Sequence, residues 1–146
     1  MSTQKINSRD WLVFISTDDG ATYKPAACLT SNEFASTLNT VDTSSKCGNE
    51  YEPGVKFDQK ITLEGWTTEE TGTATQYSTT LLYDLHVAKT VFLWKIGKAL
   101  PVTGTDFFWT GDGYVSELSE TAKDQSYNNF KGTITIKTPP ATKTAY

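Results

Sequence analysis

The sequence predicts a mainly β protein: an antiparallel two-sheet β-sandwich, or partly closed barrel, with one α-helix on its flank. Three observations lead there. Apolar and polar residues alternate along several short stretches, most clearly over 55–65. Gly, Asn, Asp and Pro punctuate the chain between those stretches, as turns require. Only one segment, around 74–89, repeats apolar residues at helical spacing.

Residues 1–8 hold little but Ser, Thr, Gln, Lys and Asn and read as an arm that only a partner orders. Trp11, Leu12, Val13, Phe14 and Ile15 form a strand with both faces apolar, hence covered on both sides. Asp19-Gly20 marks a hairpin turn, because that pair tolerates positive φ. The next strand starts near Thr22 and belongs at an edge, since Pro25 lacks a ladder donor. Residues 29–39 set Phe34, Ser36 and Leu38 against Glu33, Ala35, Thr37 and Asn39, the pattern of a half-buried strand. Residues 40–54 have loop composition, yet Val41 and Tyr51 within them imply that something packs there. A loop of about fifteen residues is more often functional than idle.

Val55, Phe57, Ile61 and Leu63 define a core face, with Lys56, Asp58, Lys60, Thr62 and Glu64 on the other side. Thr73 and Gln76 carry a capping-box signature behind Glu69 and Glu70, and Tyr77, Leu81, Leu85 and Ala88 follow at helical intervals. A helix is therefore expected over about 74–89, with Lys89 favourably near its C-terminus. Residues 91–96 are apolar on both faces and predict an interior strand beneath the helix, ended by Gly97. A second hairpin is expected, from Phe107, Phe108, Trp109 and Thr110 through Gly111-Asp112-Gly113 into residues 114–119. Residues 130–137 form the last strand, stopped by Pro139 and Pro140, and 138–146 read as a second loose arm.

A chain of 146 residues fits one domain, and Trp11, Trp66, Trp94 and Trp109 are spread evenly enough to serve one core. Thirteen Lys and Arg against seventeen Asp and Glu leave a net charge of −4, and no segment gathers the cations that phosphate-backbone binding needs. Tight nucleic-acid binding is disfavoured on that ground. The longest apolar runs, 11–15 and 91–94, are too short to span a bilayer, so the expectation is a soluble protein folded in a cytosol, without a membrane partner. Cys28 and Cys47 match neither a redox pair nor a zinc knuckle in their spacing. They read as two reduced thiols with Cys28 buried, or as a bridged staple if the mature particle is extracellular.

Catalytic chemistry finds no footing. His86 is the only histidine and reads as a surface or boundary residue, since one His without a second His or a nearby Cys makes neither a zinc site nor a triad. The carboxylate pairs Glu69-Glu70 and Asp18-Asp19 suit a helix start and a turn. Gly111-Asp112-Gly113 is too short for a nucleotide loop. No cofactor, metal or enzymatic activity is expected.

Several blocks taken in succession resemble the major tail protein, or tail tube protein, family of long-tailed bacteriophages, in particular the non-contractile siphophage type. They are Ala27-Cys28-Leu29-Thr30-Ser31, Val41-Asp42-Thr43-Ser44-Ser45-Lys46, Pro53-Gly54-Val55-Lys56 with Ile61-Thr62-Leu63-Glu64-Gly65, the helix into residues 91–96, and Gly113-Tyr114-Val115-Ser116-Glu117-Leu118 with residues 130–136. The resemblance implies the tail-tube fold. It further implies assembly into stacked, hexameric rings that make a virion tail tube, put together in the host cytoplasm, with DNA passing through the lumen without specific binding. Tape measure and tube-end proteins are the other implied partners. By the same resemblance the long loop bridges neighbouring subunits, which assigns Val41, Asp42, Thr43, Ser44, Ser45, Lys46 and Tyr51, and the two arms bridge rings.

Strands with one polar face can line a pore, and joining sheets across subunits removes open edges. The candidate lumen-facing residues are Glu33, Thr37, Asp58, Lys60, Thr62, Glu64, Glu117, Ser119, Thr133 and Thr135. Counting Glu33, Asp58, Glu64 and Glu117 against Lys56, Lys60, Lys131 and Lys137 predicts a neutral to mildly negative lumen. A carbohydrate-binding sandwich that stacks sugars on Trp66, Trp109 and Tyr114 is the alternative from another class. A tube protein of a contractile tail or of a type VI secretion system, and a terminator ring, are nearer alternatives.

Overall fold

The computed structural model describes residues 5, 7, 10–69, 76–124 and 126–146. The expected N-terminal arm lies, apart from Lys5 and Asn7, outside the described residues. The elements are β1 (Trp11–Ser16), β2 (Lys24–Pro25), β3 (Leu29–Asp42), β4 (Tyr51–Trp66), α1 (Thr79–Ala88), β5 (Phe92–Lys98), β6 (Phe107–Thr121), β7 (Asn129–Ile136) and β8 (Thr142–Ala145). Every ladder between them is antiparallel, and they join in the order β2-β1-β5-β6-β7-β4-β3, with β8 also on β6. The expected antiparallel β architecture with one helix is what forms, and the sheet does not close into a barrel.

Two layers arise because β6 serves both. Its first half pairs with β5 on one side and β8 on the other, and its second half, from Gly113 onward, pairs with β7. The layers face each other where Phe34 of β3 stacks on Trp109 of β6 at 5.4 Å and meets Trp94 of β5 at 6.0 Å. Asn32 Nδ2 also donates to the Trp11 carbonyl across the gap, at 3.2 Å. Between the layers Val13, Ile15, Ile61, Leu63, Trp94, Ile96 and Ile134 are buried in one core. Burying each such side chain contributes about 1.5–3 kcal/mol before ordering costs.

The expected second hairpin does not exist. Residues 107–121 are one continuous strand, and Gly111 and Gly113 serve packing instead of a turn. A Cβ on Gly111 would stand 2.9 Å from the Trp94 ring, and one on Gly113 would stand 2.6 Å from the Thr135 carbonyl oxygen. Asp112 between them accepts from the Trp94 indole N–H on its carbonyl and from the Thr138 amide and hydroxyl on its carboxylate. Likewise Gly97 lies within β5 and does not end it.

The C-terminal residues, expected as a loose arm, form β8 on the edge of β6. Tyr146 packs its ring on Phe108 at 4.6 Å, and Lys95 places its ammonium 4.6–5.5 Å from the rings of Tyr23, Phe14, Phe108 and Tyr146. The loop expected over 40–54 is shorter, because β3 runs on to Asp42 and β4 begins at Tyr51. Val55 is 97% exposed, so the core face of β4 begins only at Phe57. The Asp19-Gly20 turn forms as expected, with φ of 56° and 85°, and β2 lies at the end of the sheet.

The helix starts later than its spacing suggests. Thr73 lies outside the described residues, and the N-cap is Ser78, whose hydroxyl accepts from Leu81 N–H. Thr79 and Thr68 exchange amide-to-hydroxyl hydrogen bonds, which pins the first turn to the exit of β4. Tyr77 therefore precedes the helix and bridges to Ala26, no acidic residue lies in the first turn, and Lys89 is the left-handed C-cap at φ 56°. The helix packs against β6, not over β5 as expected.

Gly111→Ala is expected to cost about 1–3 kcal/mol, the range for overpacking a filled core. Urea unfolding followed by tryptophan fluorescence measures it; an unchanged midpoint would show that Trp94 is free to yield.

Candidate functional site

The candidate site is a surface, and the strand registers build it. One row of outward residues runs from Glu33 on β3 through Thr62 on β4 and Thr133 on β7 to Glu117 on β6. The next row holds Ser31, Glu64, Lys131 and Ser119, and on the other side of the first lie Ala35, Lys60, Thr135 and Tyr114. Thr37 and Asp58 add a further pair. All the polar positions singled out from the sequence thus share one face of the sheet β3-β4-β7-β6, opposite the core. Glu33, Thr37, Asp58, Lys60, Glu64, Glu117 and Ser119 are exposed, and Thr62, Thr133 and Thr135 are half-buried.

A bulge on β6 between Val115 and Glu117 makes this arrangement possible. Strict alternation would send Glu117 to the side opposite Tyr114; one extra residue returns it to the same side. Ser116, the extra residue, accepts from the Thr135 hydroxyl at 2.8 Å and donates to the Thr133 carbonyl at 3.2 Å. Sequence reasoning missed that Ser31 and Tyr114 share the face, because nothing in the local pattern reports a bulge.

The charges on the face are layered. Glu64 and Lys131 meet at 3.7 Å in one row, Glu33 and Glu117 make the next row acidic, and Lys60 alone charges the third. The Glu64–Lys131 pair is half exposed on both sides and adds little stability. No row gathers two lysines.

Both margins of this polar sheet are open. β3 pairs only with β4, and β6 beyond Gly113 has β7 on one side and no strand on the other. The helix covers part of that second edge: His86 Nδ1 lies 2.8 Å from the Val115 carbonyl oxygen, which fits the boundary role expected for this histidine. Three antiparallel steps separate β3 from β6, so the two margins run in opposite directions.

Beyond the shared rows β3 and β4 continue together as a two-stranded arm. Val41 and Asp42 end β3, Tyr51 opens β4 opposite Asp42, and Thr43, Ser44, Ser45 and Lys46 form the tip. The tip is an ordered turn: Thr43 N–H donates to Glu50 O, Ser45 and Gly48 exchange amide bonds, and Glu50 N–H donates to the Ser44 hydroxyl. Hydrogen bonds from Ser44, hydroxyl first and then amide, hold the Asp42 carboxyl below the ordinary carboxylate range. Val41 and Tyr51 are 45% and 67% exposed, so their own chain covers them only in part.

Other expectations resolve simply. Cys28, expected to be buried, is exposed, as is Cys47 in the tip; the turn at Cys28, with φ 52°, carries its side chain outward. The aromatic platform for sugars is not assembled: Trp109 is stacked inside on Phe34, Tyr114 is on the opposite face of β6, and Trp66 meets Tyr127 edge-on. Asp18 accepts from Ser16 and Thr22, as a turn carboxylate does. Among the described residues no three His, Cys, Asp or Glu gather as metal ligands, and no helix is long and apolar enough to cross a membrane.

No family model matches the chain, and no curated protein matches it. Its structure, however, matches solved tubes over nearly its whole length. The SPP1 tail tube superposes with a TM-score of 0.76 at 12% identity, covering 97% of this chain and 80% of that one. The tail of an empty gene transfer agent particle, refined with C6 symmetry, gives 0.73 at 14%, covering 97% and 100%. A chain of an extracellular contractile injection system sheath-tube complex gives 0.66 at 13%, covering 97% and 93%. The chain therefore has the tail-tube fold.

Because the polar face makes few internal contacts, Glu33→Gln combined with Glu117→Gln is expected to change the unfolding free energy by less than about 0.5 kcal/mol. A loss well above that in chemical denaturation would mean that the acidic row holds the fold.

Proposed function

We propose that this chain is a structural tail tube protein of a long, non-contractile tail, which self-assembles into stacked six-membered rings around a channel for DNA. One observation carries the reading: a four-stranded sheet with one polar face and two open margins of opposite direction. Such a unit cannot rest alone, because unpaired strand edges template further pairing. An even number of strands lets copies join edge to edge with every neighbour antiparallel, and closure into a ring removes the last edge. Six copies, the symmetry of the gene transfer agent tail, would supply 6 × 4 = 24 strands. Barrels of about sixteen to eighteen strands already enclose an aqueous channel.

In that arrangement the polar face lines the lumen and the second layer with α1 faces outward. Layered charge without a lysine row suits a conduit, since each phosphate contact would add affinity and friction. The role is assembly and passage, not catalysis, and its place is the virion tail. The β3–β4 arm joins subunits, and the tube ends meet other tail proteins, a tape measure among them. A contractile-system tube is the second reading; the likeness to the injection-system chain supports it, and the higher superposition on SPP1 and the gene transfer agent favours the first.

Negative-stain microscopy of the concentrated protein is expected to show rings or striated tubes. Deleting residues 42–46 is expected to leave the far-ultraviolet circular dichroism unchanged and to abolish those assemblies. A strictly monomeric species that binds a glycan would overturn the reading.

A further inference from the structure

Beside the open half of β6 lies an apolar groove of about 700 Å³ between Tyr83 and Val87 of α1, Val91, and Tyr114 of β6, with Lys89 and Lys137 also along it. Tyr83 and Val87 are more than half exposed and Val91 nearly so, and together they form a patch instead of scattered surface residues. Resting on the tube reading, we propose that this groove is the seat of the β3–β4 arm of a neighbouring copy of the chain.

Position selects that occupant first. Ala35 of β3 stands in the same row as Tyr114 of β6. With the rows of two copies joined in line, one copy's Ala35 stands beside the next copy's Tyr114, and the stagger that ring closure requires slides it along the same open β6 margin. In that register everything beyond Thr37, which is the arm, runs past the end of the open β6 margin toward α1. Backbone pairing must stop there, because His86 already occupies the Val115 carbonyl. From that point the contact is one of side chains.

Chemistry selects the same occupant. The arm carries Tyr51 uncovered on the face of Asp42 and Val41 uncovered on the face of Glu52, with Leu38 uncovered at its base, and the groove offers uncovered Tyr83 and Val87. The arm's exposed charges, Asp42, Glu50 and Glu52 with Lys46 and Lys56, leave it net acidic, and the exposed charges along the groove are Lys89 and Lys137. Apolar centres with opposite charges around them are what interfaces use to fix register.

The test uses the full chain. A photo-reactive benzoylphenylalanine in place of Val87 is expected, once tubes form, to cross-link to residues 38–42 or 51–57 of another copy, mapped by mass spectrometry. Val87→Asp should raise the concentration needed for assembly by at least about tenfold without changing the circular dichroism, while Val102→Asp on an exposed site elsewhere should not. Tubes that cross-link only to other segments, or a Val87→Asp protein that assembles like its parent, would overturn the seat and leave the tube reading standing. A parent protein that forms no rings at all removes the tube reading, and the seat with it.

Discussion

The structure depends on the burial of Trp94. Its ring lies against Gly111 and its indole N–H reaches the Asp112 carbonyl, so β5 and β6 approach at the one point where a side chain on β6 would collide with it. That contact fixes the midpoint of β6, where partners change from β5 and β8 to β7. Phe34 closes over the same ring from the other layer. One indole thus sets the depth of the first layer, the crossing strand and the distance to the second layer. Asp112, fixed by this contact, in turn captures Thr138 and aims the chain toward β8.

Much of this was legible because alternation reports burial directly. Phe57, Ile61 and Leu63 had to share a face, and so did Asp58, Lys60, Thr62 and Glu64, because a strand's period is two. The polar positions of β3, β6 and β7 follow from the same rule, and the registers bring them into common rows. What alternation could not report is a change of phase. Ser116 adds one residue to β6, and only its hydrogen bonds with Thr133 and Thr135 show that Tyr114 and Glu117 come out on one side.

Glycine misled the reading for a physical reason. Gly111 and Gly113 look like a turn, since positive φ is the commonest reason to place glycine between two apolar runs. Here the missing Cβ admits an indole ring at one site and a neighbouring strand's carbonyl at the other, and both causes are distant in sequence. The C-terminal segment misled in a similar way. Its short polar stretch carries no strand signal, yet Tyr146 and Lys95 meet in a cluster of rings that ties β8 down. The helix begins at Thr79 because Ser78 caps it and the Thr68–Thr79 pair fixes its first turn, partners that a local capping-box pattern does not report.

Open margins must be held in check before they are used. β6 beyond Gly113 would invite any strand, but α1 stands against it and His86 occupies Val115, which leaves a short stretch near Glu117 and Ser119 for pairing. β3 places charged and hydroxyl side chains along its free edge, the usual guard against indiscriminate pairing. In the proposed assembly the arm, ordered at its tip by Ser44 and Ser45 before any partner arrives, would lose little conformational freedom on docking. Specific assembly would then need two matches at once, a short backbone seam and an arm contact some residues away. A stray strand could supply the first but not the second, and that conjunction would separate a regular tube from an aggregate of the same sheets.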